Sequence, residues 1–368
     1  MLQILQQNFG RKRDEVMGVR IISFTEKGME LSNEIKRRWD SEQIELFTKC
    51  SAIKNRKEVR FVEQRIGEWA KEQMKEKHTL LFIGACGIAV RAIAPYVTDK
   101  LCDSPVLVMD ERGAYIIPIL SGHIGGANEI AMQIAFSMDA IPVITTATDI
   151  NGKFAVDLFA KRNGLYIVNK DGIGKVSAKA LLGKEIIVSI EQGHLDKKAK
   201  KPKEIHIVSY PPKQLVDLVI TAEKRNFDAL INLKPKEYVI GMGCKRGKEA
   251  EKIEGLILKT IKEIGISKDQ IFALASIDRK KKEEGLAVWS RKAGIPFFTF
   301  TAKQLQEVEG HFLGSEFVKQ QVGVDNVCER AALKACGKFG TLIYKKYAED
   351  GMTIAIAKRK WSIVFDEK

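Results

Sequence analysis

The chain has 368 residues, of which 45% are hydrophobic and 29% are charged, and it carries a formal net charge of +14. This length is sufficient for two or three domains with cores of their own, and the composition is typical of a globular protein. Apolar runs stay far below the roughly 18 residues of a transmembrane helix, and the amino terminus lacks the apolar segment of a signal peptide. We therefore expect a cytoplasmic protein without a membrane partner.

The spacing of the cysteines and the net positive charge limit which kinds of ligand or partner the chain is expected to bind. The six cysteines show no CxxC spacing and no histidine at metal-ligand spacing, so we expect reduced thiols and no metal site. The excess of positive charge favours a polyanion, either nucleic acid or a small molecule with many carboxylates. The lysines are not interleaved with aromatic residues, so we expect no nucleic-acid partner. A lysine-rich surface without a specific role is the alternative.

Alternating strand and helix patterns predict an α/β protein with several domains and mostly parallel sheets. Residues 1–17 look detached, and we expect them to form an extension outside the fold, or translation to start at Met17. An amino-terminal α/β domain is expected over residues 18–140. Its predicted strands cover 18–23, 79–83, 106–109 and 115–120, and its predicted helices cover 29–39, 59–75, 88–96 and 127–138.

Two further regions follow. A middle region is expected over 141–225, with helices at 154–162 and 176–182 and strands at 166–168, 186–190 and 205–208. Charges and Pro235 suggest a boundary at 222–236. A separate α/β domain is expected over 236–368, ending in a hairpin whose turn contains Asp350 and Gly351, a pair that favours hairpin turns. Its predicted strands cover 238–242, 272–275, 297–300, 341–347 and 352–358, and its predicted helices cover 248–264, 283–293, 302–308 and 325–336.

A loop with three glycines, a serine and a histidine follows the apolar segment 115–120. Polar residues at the junction of a strand and a helix are typical of ligand sites in α/β proteins. His123 is a candidate base or binding group, because an imidazole transfers protons near neutral pH; a structural loop hydrogen bond is the alternative. Ser121 is a candidate nucleophile, although its surroundings lack the G-x-S-x-G pattern. The binding candidates in this segment are Gly122, Gly125, Gly126 and Asn128.

Two other glycine loops, 84–87 and 241–247, follow predicted strands and precede helices, so their N–H groups suit an anion. The second has three residues, not four, between its glycine and Gly-Lys, so it is a poor Walker loop. Its GxGxxxG pattern leaves dinucleotide binding as a weak alternative, and a tight turn that requires glycine is another. The binding candidates in these loops are Gly84, Gly87, Gly241, Gly243 and Cys244.

Charged residues complete the set of candidates. Arg91, Lys245 and Arg246 are expected to bind acidic groups of a ligand. Asp110 lies at the end of a predicted strand, where ligands commonly bind, although an exposed turn explains it equally well. Glu329 lies near the start of the last predicted helix, where it is a candidate general base or a simple complement to the helix terminus.

Five segments form long motifs: GIAVRAIAP at 87–95, LSGHIGGANE at 120–129, IPVITTATD at 141–149, GMGCKRG at 241–247 and GVDNVCERAAL at 323–333. These segments resemble the CbiG family, the cobalt-precorrin-5A hydrolases of the oxygen-independent route to cobalamin. The resemblance covers nearly all of the chain from Gly18 onward. The third region also resembles the smaller CobE proteins of the aerobic route.

The resemblance implies a reaction in anaerobic cobalamin biosynthesis. Water opens the δ-lactone of a cobalt-containing tetrapyrrole, and acetaldehyde leaves to give cobalt-precorrin-5B. The partner is then a polycarboxylate cobalt-corrinoid intermediate, with neighbouring pathway enzymes as further partners. The cobalt arrives with the substrate, so no cofactor of the protein's own is expected.

This chemistry requires proton transfer and stabilisation of an oxyanion. His123 or Glu329 is expected to activate water, and N–H groups near Gly125 and Gly126, or in loop 84–87, to stabilise the oxyanion. A non-catalytic carrier or chaperone of corrinoid intermediates is the alternative from another class, and a dinucleotide-binding enzyme is a weaker one.

Overall fold

The computed structural model describes residues 18–365 except 40–43, 100–101, 124, 197–199, 313, 315–319 and 321. The extension expected at residues 1–17 lies outside this range. The chain divides into two compact units, with the boundary between Ile150 and Asn151. The three-part division expected from the sequence stays a prediction. Within the described residues, no helix is long and apolar enough to cross a membrane.

The first unit contains a seven-stranded sheet, here called sheet 1, in the order β3-β2-β1-β4-β5-β6-β7. Its strands are β1 (Val19–Ser23), β2 (Ile44–Thr48), β3 (Arg60–Phe61), β4 (Thr79–Ile83), β5 (Val106–Met109), β6 (Tyr115–Leu120) and β7 (Ile141–Pro142). The helices are α1 (Glu26–Arg38), α2 (Ile66–Lys75), α3 (Cys86–Ile93), α4 (Ala127–Met138) and α5 (Ala147–Ile150).

Sheet 1 is buried on both faces, which explains why its central strands are almost entirely apolar. Successive residues of a strand point to opposite faces, so Ile21 joins the core beneath α1 and α4, while Ile22 joins the core beneath α2 and α3. Trp69 of α2 anchors the second core through edge-on contacts with Phe47 and Phe82. The two cores fix the helices against the sheet and therefore fix the loops at its edges.

The direction of the strands decides which loops of sheet 1 meet. Strands β1 to β5 pair in parallel, whereas β6 runs antiparallel to β5 and β7 runs parallel to β6. The carboxyl ends of β1, β4 and β5 therefore lie at one edge of the sheet. The carboxyl ends of β6 and β7 lie at the opposite edge.

The second unit contains two five-stranded sheets. Sheet 2 has the order β10-β9-β11-β12-β8 and is parallel except for the antiparallel pair of β12 and β8. Its strands are β8 (Leu165–Ile167), β9 (Ile186–Ile190), β10 (Ile205–Val208), β11 (Val216–Ile220) and β12 (Ala229–Pro235), and the helices that precede or separate them are α6 (Val156–Arg162) and α7 (Gly172–Leu181).

Sheet 3 has the order β15-β14-β13-β17-β16, in which β13 to β15 are parallel and β16 and β17 form an antiparallel hairpin. Its strands are β13 (Tyr238–Cys244), β14 (Ile271–Ile277), β15 (Phe297–Phe300), β16 (Thr341–Glu349) and β17 (Met352–Lys358). Helices α8 (Ala250–Glu263) and α9 (Glu284–Ala293) cover one face, and α10 (Ala302–Gln306) and α11 (Cys328–Cys336) cover the other. Since β17 runs against β13, the hairpin turn lies at the carboxyl edge of the parallel strands.

The predicted fold class is confirmed, including the mostly parallel sheets and the closing hairpin. Several local bounds differ from those predicted. The helix expected at 59–75 begins only at Ile66, because Arg60–Phe61 pairs with β2. Strand β13 extends through Gly243 and Cys244, because both residues pair with β17. The segment 222–236 contains strand β12, which pairs with β11, and the domain boundary expected there stays a prediction.

Candidate active site

The loop at 121–126, which carries His123 and is here called the histidine loop, joins β6 to α4. It lies at the edge of sheet 1 where β6 and β7 end. Because these two strands are parallel, the segment that follows β7 comes to the same edge. Its Thr148 is buried (7% exposed), and the Thr148 hydroxyl lies 3.2 Å from Nε2 of the half-buried His123. This hydrogen bond orients the imidazole within the loop.

The glycines of the histidine loop permit contacts that no larger residue allows. A Cβ at Gly122 would lie 2.7 Å from Oδ1 of Asn128, and a Cβ at Gly125 would lie 2.5 Å from Cβ of Ser121. The buried Asn128 in turn donates from Nδ2 to the Thr146 hydroxyl at 3.0 Å. The Asn128–Thr146 hydrogen bond joins the first turn of α4 to the segment after β7, beside the hydrogen bond between Thr148 and His123.

Backbone N–H groups at the start of α4 are used within the histidine loop itself. The N–H of Gly126 donates to the carbonyl of His123 at 3.0 Å, that of Ala127 to Ser121 at 3.1 Å, and that of Asn128 to Gly122 at 3.0 Å. Anion binding by Gly126 N–H would require breaking one of these bonds. The geometry therefore favours a structural role for this amide over the oxyanion role suggested by the sequence.

The Ser121 hydroxyl is also engaged within the fold. Ser121 has a positive φ of 54°, and its Oγ donates to the carbonyl oxygen of Asp103 at 2.8 Å. This bond ties the histidine loop to the segment that precedes β5. It favours a structural role for Ser121 over that of a nucleophile.

Loop 84–87 lies at the other edge of sheet 1, where β4 and β5 end. The N–H of Gly84 donates to the carbonyl of Met109 at 2.9 Å. Arg91 folds back over Gly87, where an added Cβ would lie 3.4 Å from its guanidinium. The Asp110 carboxylate accepts the N–H groups of Arg112 at 2.8 Å and Tyr115 at 2.6 Å, so it closes the turn between β5 and β6.

Loop 84–87 and His123 do not meet in the first unit. Strand β5 pairs Met109 with Ile116 and Val106 with Leu120, so the two loops lie beside opposite ends of β5. Four residues at about 3.3 Å each separate these edges by roughly 10–13 Å. The amides of Gly84 and Gly87 therefore cannot stabilise an oxyanion that forms where water activated by His123 attacks.

Gly241 and Gly243 belong to β13 and permit close packing. A Cβ at Gly241 would overlap the carbonyl oxygen of Cys328 in α11, and one at Gly243 would lie 2.8 Å from the Thr353 hydroxyl. Cys244 is half-buried, and burial raises the pKa of its thiol. Of the candidates in this motif, Lys245 and Arg246 are exposed, at the carboxyl edge of sheet 3.

Glu329 is only 1% exposed, and both of its carboxylate oxygens accept hydrogen bonds. Asn326 Nδ2 donates to one oxygen at 2.6 Å, and the backbone N–H of Lys346 donates to the other at 2.7 Å. The Glu329 N–H donates to Asn326 Oδ1 at 3.0 Å. The carboxylate thus joins α11 to β16. This geometry favours a structural role over the role of a general base.

Sequence reasoning gave no role to Thr146 and Thr148, which hold Asn128 and His123. Both lie in the motif 141–149, but only the parallel pairing of β6 and β7 brings them to the histidine loop. Among the described residues, no group of three or more His, Cys, Asp or Glu side chains could hold a metal ion.

Two family models match the chain. Cobalamin synthesis G N-terminal covers residues 68–149, which include His123 and Thr148, and Cobalamin synthesis G C-terminus covers residues 238–357. The cobalt-precorrin-5A hydrolase of Priestia megaterium is 31% identical over 352 residues, which are 92% of this chain and 94% of that protein. The protein of the same name from Salmonella typhimurium is 34% identical over 288 residues, or 75% and 81% of the two chains. Protein CobE of Sinorhizobium is 27% identical over 120 residues, or 32% and 78%.

Proposed function

The chain belongs to the CbiG family, and we propose that it acts as a cobalt-precorrin-5A hydrolase in cobalamin biosynthesis. Two relatives with that name match most of its length. The likeness of the third region to CobE is confirmed as well. The observation that carries the proposal is the geometry of the histidine loop. In a segment matched by the family model, His123 is held by Thr148 in a loop too tight for side chains at Gly122 and Gly125.

The proposed reaction has two stages. Water attacks the lactone carbonyl carbon, the ring C–O bond breaks, and a carboxylate and an alcohol form. The alcohol then loses its proton, the adjacent C–C bond breaks, acetaldehyde leaves, and the conjugated macrocycle takes up the electron pair and a proton. An ester is hydrolysed in the first stage, so a base near the attacking water is the protein group most needed.

His123 is the proposed base. Its imidazole accepts a proton from the attacking water and returns it to the departing alkoxide. Thr148 positions the imidazole ring, since the Thr148 hydroxyl is hydrogen-bonded to His123 Nε2. Cobalt is proposed to arrive with the substrate. Exchange of the intermediate with neighbouring pathway enzymes, and the absence of a nucleic-acid partner, stay predictions.

Arg91, Lys245 and Arg246 are proposed to bind carboxylates of the substrate. All three residues are exposed: Arg91 lies on α3, which follows β4, and Lys245 and Arg246 lie on the loop that follows β13. A basic protein suits a substrate with many carboxylates.

The direct test is incubation of the purified chain with cobalt-precorrin-5A. Acetaldehyde is measured through NADH oxidation by added alcohol dehydrogenase, and the corrinoid product by mass spectrometry. Catalytic release over many turnovers is expected. Stoichiometric binding without acetaldehyde would favour a carrier, and calorimetric binding of a dinucleotide would favour a nucleotide-dependent enzyme.

Thr148→Val should lower kcat by about 3- to 10-fold with little change in KM, because the loss of one hydrogen bond frees the ring from its orientation. Thr148→Ser keeps the hydroxyl and should restore most of the rate. Thr145→Val is the matched control, since Thr145 is exposed at the same edge. Equal kcat values for Thr148→Val and Thr145→Val would contradict the positioning role.

A further inference from the structure

Exposed basic side chains gather at the carboxyl edge of sheet 3. Lys245 and Arg246 lie on the loop that follows β13, and Arg279, Lys281 and Lys282 lie on the loop that follows β14. The two strands are parallel neighbours, so their loops adjoin. These five residues are here called the cationic edge. The carboxyl ends of parallel strands are the usual binding position in open α/β sheets.

Glu283 holds the two loops of the cationic edge together. It is 8% exposed, one carboxylate oxygen accepts the N–H of Gly247 at 2.6 Å, and the other accepts Lys280 Nζ at 2.7 Å. Burial alone would raise its pKa, but the hydrogen bonds from Lys280 and Gly247 hold the pKa of Glu283 below its ordinary value. A charged carboxylate therefore joins one loop to the other.

Packing reinforces this junction. A Cβ at Gly285 would overlap the carbonyl oxygen of Lys248, so α9 approaches the first loop as closely as backbone atoms allow. Lys248 itself pairs with Asp350 on the hairpin turn at 2.8 Å. Contacts with Glu283, with α9 and with the hairpin turn therefore hold the backbone that carries these basic side chains.

Acidic residues also lie on these loops. Asp350 and Glu283 are paired with Lys248 and Lys280, which are not members of the cationic edge. Asp278, whose carboxylate accepts the N–H of Arg279 at 2.7 Å, is exposed, as are Glu249 and Glu284. Three exposed acidic residues on these loops therefore accompany the five basic residues of the cationic edge.

We propose that the cationic edge binds the carboxylate side chains of a tetrapyrrole, and that Glu283 is a positioning residue for it. The proposal rests on the function proposed above and names the part of the substrate that this edge contacts. Several exposed cations on adjoining loops suit a ligand with several carboxylates, because each pair adds a modest Coulomb energy and a rigid macrocycle loses little conformational entropy on binding. Such binding should weaken as salt increases.

The test uses the full chain and uroporphyrin, a tetrapyrrole octacarboxylate, as a binding probe followed by fluorescence. The double variant Lys281→Gln with Lys282→Gln should raise Kd about 3- to 30-fold and reduce its dependence on salt. The matched control is Lys175→Gln with Lys184→Gln, which removes the same charge from two other exposed lysines. Equal Kd values for the two double variants would overturn the proposal, as would stronger displacement of the probe by single-stranded RNA than by free tetracarboxylates.

Turnover separates this proposal from the proposed function. In the hydrolase assay the lysine variant should raise KM by a similar factor and leave kcat unchanged. If the wild-type chain binds uroporphyrin in a salt-dependent way but releases no acetaldehyde, the proposed hydrolase function is wrong and binding by the cationic edge is supported. If the wild-type chain releases acetaldehyde and the lysine double variant has wild-type KM and Kd, only the proposal on the cationic edge is wrong.

Glu283→Gln tests the positioning role. It should raise Kd for uroporphyrin, and in combination with the lysine variant the two effects should be less than additive, because Glu283 acts through the same loop. Full additivity would show that Glu283 only stabilises the fold and would overturn its part of the proposal.

Discussion

His123→Ala is expected to lower kcat of the hydrolysis by about 10²- to 10⁴-fold, the usual contribution of a general base. KM should change little, because the imidazole is proposed to act on water and not to hold a substrate carboxylate. The Thr148 hydroxyl cannot replace it, since a neutral hydroxyl does not accept a proton near neutral pH. The measurement is steady-state release of acetaldehyde from cobalt-precorrin-5A.

The matched control for this variant is His206→Ala. His206 is exposed on β10, so its loss removes an imidazole without touching the histidine loop. Added imidazole should restore part of the rate to His123→Ala by entering the space left by the side chain. Turnover of His123→Ala equal to that of His206→Ala would exclude His123 from the mechanism.

The location of the histidine loop could be predicted from the sequence, but its neighbours could not all be predicted. An apolar run followed by glycines and a histidine indicates a strand that ends at a polar loop, and β6 and α4 have the expected bounds. The segment with Thr148 is separated from His123 by a whole helix. Only the parallel pairing of β6 and β7 brings it back, and β7 has just two residues, too few for a periodic signal.

The separation of His123 from loop 84–87 had a signal in the sequence. Strands β5 and β6 are joined by residues 110–114 only. A parallel pair requires a crossover of a dozen or more residues, so this short connection predicts antiparallel strands. Antiparallel direction then places the ends of β5 and β6 at opposite edges of sheet 1. Loop 84–87 and the histidine loop are both rich in glycine, which suggested a single site. The antiparallel direction of β6 places the two loops at opposite edges of the sheet and so excludes that site.

The role of Glu329 could not be read from the sequence. A carboxylate near the start of a helix suits a base, a helix terminus or a buried hydrogen-bond acceptor equally well. Its partners are Asn326, three residues earlier, and the backbone N–H of Lys346 on β16. The second partner depends on how α11 packs against the hairpin, which is a tertiary property.

Gly241→Ala is expected to destabilise the second unit by about 3 kcal/mol, near the upper end of the usual cost of overpacking. The new Cβ would overlap the carbonyl oxygen of Cys328, a backbone atom that moves only if α11 moves. A shift of α11 would also strain the bonds of Glu329 to Asn326 and Lys346. Hydrogen exchange measured by mass spectrometry should show faster exchange in β13 and α11, together with a lower urea midpoint.

Gly255→Ala is the matched control for Gly241→Ala. Gly255 lies within α8, and a Cβ there would meet no atom within 4 Å. Alanine in a helix interior should therefore stabilise the chain by about 0.5–1 kcal/mol. The pair also separates the two explanations of the conspicuous glycine motif at 241–247. If Gly241→Ala keeps wild-type stability and exchange but loses affinity for the tetrapyrrole, the glycine serves close approach of a ligand. If stability falls and the surviving folded protein keeps its KM, the glycine serves the contact between β13 and α11, as the backbone geometry indicates.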